Sequence, residues 1–356
     1  MNRKQRRTAA KIAKKQPVNG AQRSAVDNVV TKAIAAVQAG LLAEAEAAFD
    51  KVLEQAPDHA EALHQKGMLL ARTHRAEGGI PLLQRATAQK PGEALYWNNL
   101  AAACLTCHRP ADARAAARKA VELDPKYAMA WRNLAMAATD LAQHREAAEA
   151  YLTVTRLTPN DAGAWNGLGL EQLELGDAAR AETAFAKAAA LDPNSAECLS
   201  NLGGLLVKRG RGSEALPHLE KAVAIDPDRF AAALHYGAAL ALSGNAAQGL
   251  RWLRRATSIK PRSDTAWGTL AEAAAAAGEQ AEALDAARRA ADFAPSDAGH
   301  RARLQRLQQG GAERVTLMEL DLGALPVPGR DKADAKTGDK TGDADQSQSL
   351  DQIFIR

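Results

Sequence analysis

Eight prolines recur along this chain at a fixed interval of 34 residues. They are Pro57, Pro91, Pro125, Pro159, Pro193, Pro227, Pro261 and Pro295. A strict period of this size is the sequence signature of a stacked array of identical supersecondary units. The period therefore predicts eight repeats over residues 26–297. It also disfavours an enzyme, because such an array offers an extended surface for holding a partner and no obvious reaction site.

Alignment on this period shows two columns of small residues. When each recurrent proline is numbered position 32 of its repeat, positions 8 and 20 hold only alanine or glycine. Two such columns indicate two helices that cross closely. Larger apolar residues surround them at helical spacing, including a tryptophan at position 4 in four repeats and a leucine at position 7 in most of them. Each repeat is therefore predicted to be a pair of amphipathic helices, followed by a proline that cannot continue the second one.

These columns resemble the tetratricopeptide repeat family over residues 26 to about 297. The resemblance implies an all-α fold: a right-handed superhelical solenoid of eight helix–turn–helix repeats, with the first helix of each pair on the concave face. It also implies a protein-interaction scaffold or adaptor. Residues 298–311 are predicted to form a capping helix, which Ser296 caps and whose arginines face outward, with Leu304 and Leu307 against repeat 8.

The two ends of the chain differ in composition from the repeats. Residues 1–25 hold eight Lys/Arg and no acidic residue. They are predicted to be a disordered basic arm that either aids solubility only or attracts an anionic partner such as nucleic acid, ribosomes or anionic lipid. Residues 312–356 are predicted to be a largely disordered tail with an apolar tip. We expect that tip to dock either on the protein's own concave groove or on a different protein. Because the sequence has no secretory signal and no apolar run of membrane-spanning length, we expect a cytoplasmic protein.

One segment matches a cofactor motif. Cys104, Cys107 and His108 fit C-x-x-C-H, the pattern of covalent haem attachment. Cys104, however, falls in a core column that other repeats fill with leucine, and Cys107 and His108 fall in the turn between two helices. A zinc site would need two further ligands. We therefore predict a buried structural Cys104, no cofactor and no metal. The sequence contains no nucleotide-binding, metalloprotease or nucleophile-elbow motif.

A column of amides supplies the candidate binding site. Position 6 holds Asn99, Asn133 and Asn201, although asparagine costs about 0.5 kcal/mol relative to alanine inside a helix. An amide both donates and accepts, so a row of exposed amides binds the backbone of an extended peptide. The column is similar to the asparagine ladder in the repeats of protein O-GlcNAc transferases and their bacterial SPINDLY-like relatives. The alternative is that these are solvated polar residues left by repeat duplication.

Neighbouring positions complete the predicted peptide-binding face with further polar groups and with apolar side chains. They are Asn98, Arg132, Asn166, Leu95, Met129, Met136 and Leu170. Because the position-6 asparagines are expected to be exposed, replacing them by alanine should weaken partner binding without loss of stability. Two functions stay open. One is an adaptor for extended protein segments. The other is a substrate-recognition or targeting subunit of a separately encoded glycosyltransferase, because about 60 residues after the last repeat are too few for a catalytic domain.

Overall fold

The structure, a computed structural model, describes residues 20–309, with side chains from residue 24 onward. All regular secondary structure in this part of the chain is α-helical. The expectations for most of the basic arm, for the apolar tail and for their partners lie outside the described residues. The chain divides into two compact units, one that reaches Leu141 and one that starts at Ala142.

The described part of the first unit consists of seven helices, which alternate as first and second helices of repeats 1 to 4. They are α1 (Gly20–Gln38), α2 (Leu42–Gln55), α3 (Ala60–Arg72), α4 (Ala76–Gln89), α5 (Ala94–Thr106), α6 (Pro110–Leu123) and α7 (Ala128–Asp140). Helix α1 begins six residues before the predicted start of repeat 1. The last six residues of the segment predicted as a disordered arm are therefore helical.

The described part of the second unit continues with the second helix of repeat 4 and ends with a single closing helix. Its elements are α8 (His144–Leu157), α9 (Ala162–Glu174), α10 (Ala178–Leu191), α11 (Ala196–Lys208), α12 (Gly212–Ile225), α13 (Phe230–Leu242), α14 (Ala246–Ile259), α15 (Asp264–Ala276), α16 (Gln280–Phe293) and α17 (Ala298–Gln308). Within each unit, consecutive helices pack against each other. The predicted all-α array of helix pairs is confirmed.

The small-residue columns mark the crossing point of each pair. A Cβ added at Gly79 would lie 2.5 Å from the backbone oxygen of Gly67, and one added at Gly249 would lie 2.6 Å from that of Gly237. Positions 8 and 20 therefore face each other where the two backbones approach. A larger side chain in either column would separate the helices and expose the core between them.

The four tryptophans of position 4 are half-buried. Each one connects its own first helix to the loop before that helix. Each indole N–H donates to the carbonyl of the recurrent proline six residues earlier, over 2.8–3.0 Å. In α17, Arg301 occupies the same position and donates to the carbonyl of Pro295. Helix α17 therefore keeps the register of a ninth first helix.

The closing helix differs from the prediction in two respects. Asp297, not Ser296, caps it, because the Asp297 carboxylate accepts from the backbone N–H of His300 at 3.0 Å. The expectation that its arginines face outward is wrong for Arg303, which is buried. Its Nε donates to Glu272 of α15 at 2.7 Å, because position 6 of a first helix faces the preceding first helix.

Candidate functional site

The predicted ladder asparagines are buried, so the expectation that they are exposed is wrong. Asn133 and Asn201 are fully buried, and Asn98, Asn99 and Asn166 keep at most 4% of their surface exposed. The reason is that first helices of consecutive repeats contact each other within each unit. Positions 5 and 6 lie in the seam between those helices.

Each of these amides bonds one repeat to the next. Asn133 Nδ2 donates to Asn98 Oδ1 at 2.9 Å, and in the second unit Asn201 Nδ2 donates to Asn166 Oδ1 at 2.9 Å. Asn99 Nδ2 contacts His64 Nε2 at the same distance. In all three pairs a position-6 amide donates to position 5 of the preceding repeat, 35 residues earlier. The asparagine side chains that the sequence predicted to bind a peptide backbone therefore form hydrogen bonds between repeats.

In the first unit, this row ends in a buried titratable cluster. The His64 ring stacks on Tyr96, with centroids 4.2 Å apart, and Tyr96 Oη donates to Glu61 Oε2 at 2.7 Å. Burial lowers the pKa of His64 to about 4, so the imidazole is neutral at neutral pH and its Nε2 accepts from Asn99. Asn98 completes the row by donating to Asn99 Oδ1 at 3.2 Å.

We expect this cluster to make the fold sensitive to acid. The folded-state pKa of about 4 for His64 lies below its ordinary value of 6.5, so the unfolded chain takes up the proton first as the pH falls. Between pH 7 and pH 5 one such group removes about 2 kcal/mol from the free energy of unfolding. Urea unfolding at both pH values measures the loss, which should be smaller in His64→Gln, because glutamine still accepts from Asn99 and does not titrate. An equal pH dependence in the variant would contradict this account.

In the second unit, the row has the same geometry with different residue types. Asn166 Nδ2 donates to Glu197 Oε1 at 2.9 Å. His235, at position 6 of repeat 7, is 1% exposed and donates to the backbone of Ser200, again 35 residues earlier. Gly167 interrupts the asparagine column because the ring of Tyr151 fills the space, and a Cβ there would lie 2.6 Å from that ring.

The predicted apolar residues divide into three that are accessible and one that is not. Leu95 is 38% exposed, and Met129 and Met136 are half-buried. Arg132, also half-buried, shares with these methionines one face of α7 at helical spacing. Leu170 is 3% exposed and belongs to the core cluster of the second unit that contains Phe185. The structure therefore does not place Leu170 on the accessible surface.

The sequence pattern did not single out Met68, which belongs with the accessible group. It occupies position 9 of α3, as Met136 does in α7, and it is half-buried. Helix α5 contacts both α3 and α7, so Leu95 lies on the helix between them. Three of the chain's five methionines are thus on two first helices of one unit. This clustering is the sequence signal that could have identified Met68. We call Met68, Leu95, Met129 and Met136 the methionine face.

The cofactor motif does not form an accessible site. Cys104 is buried, as predicted, and burial raises the pKa of its thiol to about 11. Cys107 is half-buried, and His108 lies in the turn with a φ of 53°. Residues 20–309 contain no group of three or more His, Cys, Asp or Glu arranged to hold a metal ion. Over the same residues, each helix is too short or too polar to span a membrane.

Comparison with known families gives two matching models, both described as tetratricopeptide repeat. One matches residues 30–94, 64–128 and 133–196, and the other matches residues 172–233 and 206–264. Together these matches cover more than half of the chain. A search of curated proteins finds no match.

Solved structures support the same fold. The crystal structure of the APC/C hetero-tetramer Cut9–Hcn1 matches with a TM-score of 0.56 and 17% identity, over 75% of this chain and 52% of that chain. The chain thus spans about half the length of that relative. PilF of Pseudomonas aeruginosa matches with a TM-score of 0.51 and 20% identity, over 57% of this chain and 93% of that chain. At these identities the likeness concerns the fold alone.

Proposed function

The chain belongs to the tetratricopeptide repeat family, whose members generally mediate protein–protein interactions, and we propose that it is a scaffold that binds an extended segment of a protein partner on the methionine face. The observation that carries this proposal is the accessible apolar surface on three adjacent first helices. A single exposed leucine is ordinary in any protein. Here the accessible apolar side chains share positions 2 and 9 of neighbouring repeats, so one bound segment would cover several of them.

The chemistry of these side chains suits a peptide ligand. Methionine is unbranched and polarisable, so it adapts its shape to different apolar side chains. Full burial of one such side chain contributes about 1.5–3 kcal/mol. Four partly exposed ones therefore contribute several kcal/mol, and micromolar binding needs about 8 kcal/mol in all. Backbone hydrogen bonds of the segment and neighbouring groups such as Arg132 would supply the remainder.

The asparagines have a different part in this proposal. Asn133 Oδ1 and Asn201 Oδ1 are buried without a hydrogen-bond partner, so a backbone N–H of a partner would suit each of them chemically. A ligand could reach either oxygen only if the seam between first helices opened. We therefore assign partner binding to the methionine face, and to Asn98, Asn99 and Asn133 the task of holding its helices in register.

We expect Leu95→Glu to abolish most of the binding. A random peptide library selected on the wild-type protein should give ligands with spaced Leu, Met or Phe, and fluorescence anisotropy then measures their affinity. A charge on this surface should weaken binding at least about tenfold, which is about 1.4 kcal/mol. Leu123→Glu is the matched control, because Leu123 is also 38% exposed but lies on a second helix, α6. Equal losses in the two variants, or no loss in Leu95→Glu, would contradict the proposal.

A recognition subunit for a separately encoded glycosyltransferase would use the same surface. Copurification of such an enzyme with the wild type, but not with Leu95→Glu, would favour that version of the function. Absence of any modifying enzyme among partners that Leu95→Glu loses would favour the plain adaptor.

A further inference from the structure

The described part of the chain contains three methionine and three cysteine sulfur atoms, and they differ in access. The methionine sulfurs belong to Met68, Met129 and Met136, which are half-buried and all lie on the methionine face. The chain's two remaining methionines lie outside the described residues. The accessible thioethers of the described part are therefore concentrated on the surface to which we assign partner binding.

The three cysteine sulfurs are poorly placed for oxidation. Cys104 and Cys198 are buried, and Cys107 is half-buried. Burial raises the pKa of each of these thiols above its ordinary value, to about 11 for Cys104. They are therefore protonated at neutral pH, whereas the thiolate is the form that oxidants attack. A thioether does not titrate, so its oxidation is limited by access alone.

One ligand can cover all three thioethers. Met129 and Met136 are seven residues apart on α7, which places them on one face of the helix and about 10 Å apart along it. Met68 lies on α3, and α5 contacts both α3 and α7. A segment bound across these three first helices would therefore contact each of the methionine side chains.

We propose that Met68, Met129 and Met136 form a modification site at which oxidation by a hydroperoxide releases the bound partner. This inference rests on the proposed function. At each residue the Sδ lone pair attacks the terminal oxygen of the hydroperoxide, so that an S–O bond forms and the O–O bond breaks. The proton of the attacked oxygen passes to the leaving oxygen, which departs as an alcohol, or as water when the oxidant is hydrogen peroxide. The sulfur loses two electrons and the peroxide gains them.

The added oxygen changes what the methionine face can bind. A thioether is a weak hydrogen-bond acceptor, whereas oxidation to the sulfoxide makes the side chain polar. Beneath an apolar ligand the sulfoxide oxygen would lose its water without gaining a donor, which disfavours binding. In the unbound protein each of these side chains reaches solvent, so the oxygen is hydrated there. Oxidation should therefore stop partner binding and leave the repeats folded.

The test uses the full chain and a library-selected peptide that contains no methionine or cysteine. Hydrogen peroxide is added and then removed, and mass spectrometry of a digest confirms that Met68, Met129 and Met136 have each gained one oxygen. The affinity measured by fluorescence anisotropy should fall at least about tenfold, with an unchanged circular dichroism spectrum. Methionine sulfoxide reductases for both sulfoxide epimers, supplied with a thiol reductant, should restore the affinity.

Two variants identify the sulfur atoms responsible. Met68→Leu/Met129→Leu/Met136→Leu should still bind the peptide, because leucine and methionine have similar volumes, and it should keep its affinity after peroxide. Met318→Leu is the matched control and should lose as much affinity after peroxide as the wild type does. Bound peptide should also slow the oxidation of the three methionines of the face relative to that of Met318.

Different results would overturn this inference and the proposed function. Retained affinity with all three methionines oxidised would overturn the inference and leave the proposed function intact. An equal loss in the triple variant, or a loss that accompanies unfolding, would overturn it too, because the sensitive group would then lie elsewhere or the repeats would be damaged. If the untreated wild type bound no selected peptide, the proposed function would fail together with the inference.

Discussion

Asn98→Ala should lower the free energy of unfolding by about 3 kcal/mol, although alanine is the better helix former by about 0.5 kcal/mol. The change removes the acceptor of Asn133 Nδ2 and the donor to Asn99 Oδ1, and all three side chains are buried. Each group left without a partner costs about 1–3 kcal/mol. Urea unfolding of the purified variant measures the loss. For the neighbouring asparagines of position 6, the sequence-based expectation was no loss of stability.

Two further variants test the origin of this loss. Asn194→Ala is the control, because Asn194 is exposed in a loop and should change stability by less than about 0.5 kcal/mol. Replacing Asn98 and Asn133 together by leucine should cost less than the sum of the two single changes, because neither partner is then left unpaired. Additive losses, or an Asn98→Ala as mild as the control, would show that the amide row does not stabilise the seam.

Glu272→Ala should detach the closing helix from repeat 8. Arg303 Nε and Arg306 Nη2 both donate to Glu272 Oε1 at 2.7 Å, and Arg303 Nη1 contacts His300 Nδ1 at 2.7 Å. Without Glu272 the buried Arg303 would lose its counter-charge. Breaking one partner of a buried ion pair costs about 3–5 kcal/mol. That loss falls on a helix whose apolar contacts with repeat 8 are made by Leu304 and Leu307.

Limited proteolysis measures this detachment directly, because α17 should be cleaved faster in Glu272→Ala than in the wild type. Glu279→Ala is the control, because Glu279 is exposed on the loop after α15. In an array of repeats the damage should stay near the end of the chain and leave the first unit intact. Cleavage at the wild-type rate would mean that the other contacts of the helix hold it without Glu272.

Much of the fold could be predicted from the sequence because its signals recur within each repeat. The two small-residue columns act within one helix pair, as the close approach of Gly67 and Gly79 shows. The tryptophan acts on the proline of the loop six residues before it. These contacts span fewer than about 30 residues. The residues that make these contacts recur every 34 positions along the chain. The pattern by itself therefore predicted the pairs of helices.

Only the tertiary structure decided which polar and apolar residues are buried between repeats. Met136 and Leu170 share position 9, yet Met136 is accessible and Leu170 lies in the core. The sequence predicted an exposed Asn133, because its position on the helix is next to the apolar positions and is not one of them. Its partner is 35 residues away, one position out of register with the period. Burial in such a seam depends on how closely neighbouring first helices pack, and that distance is a property of the stacked repeats that no single repeat encodes.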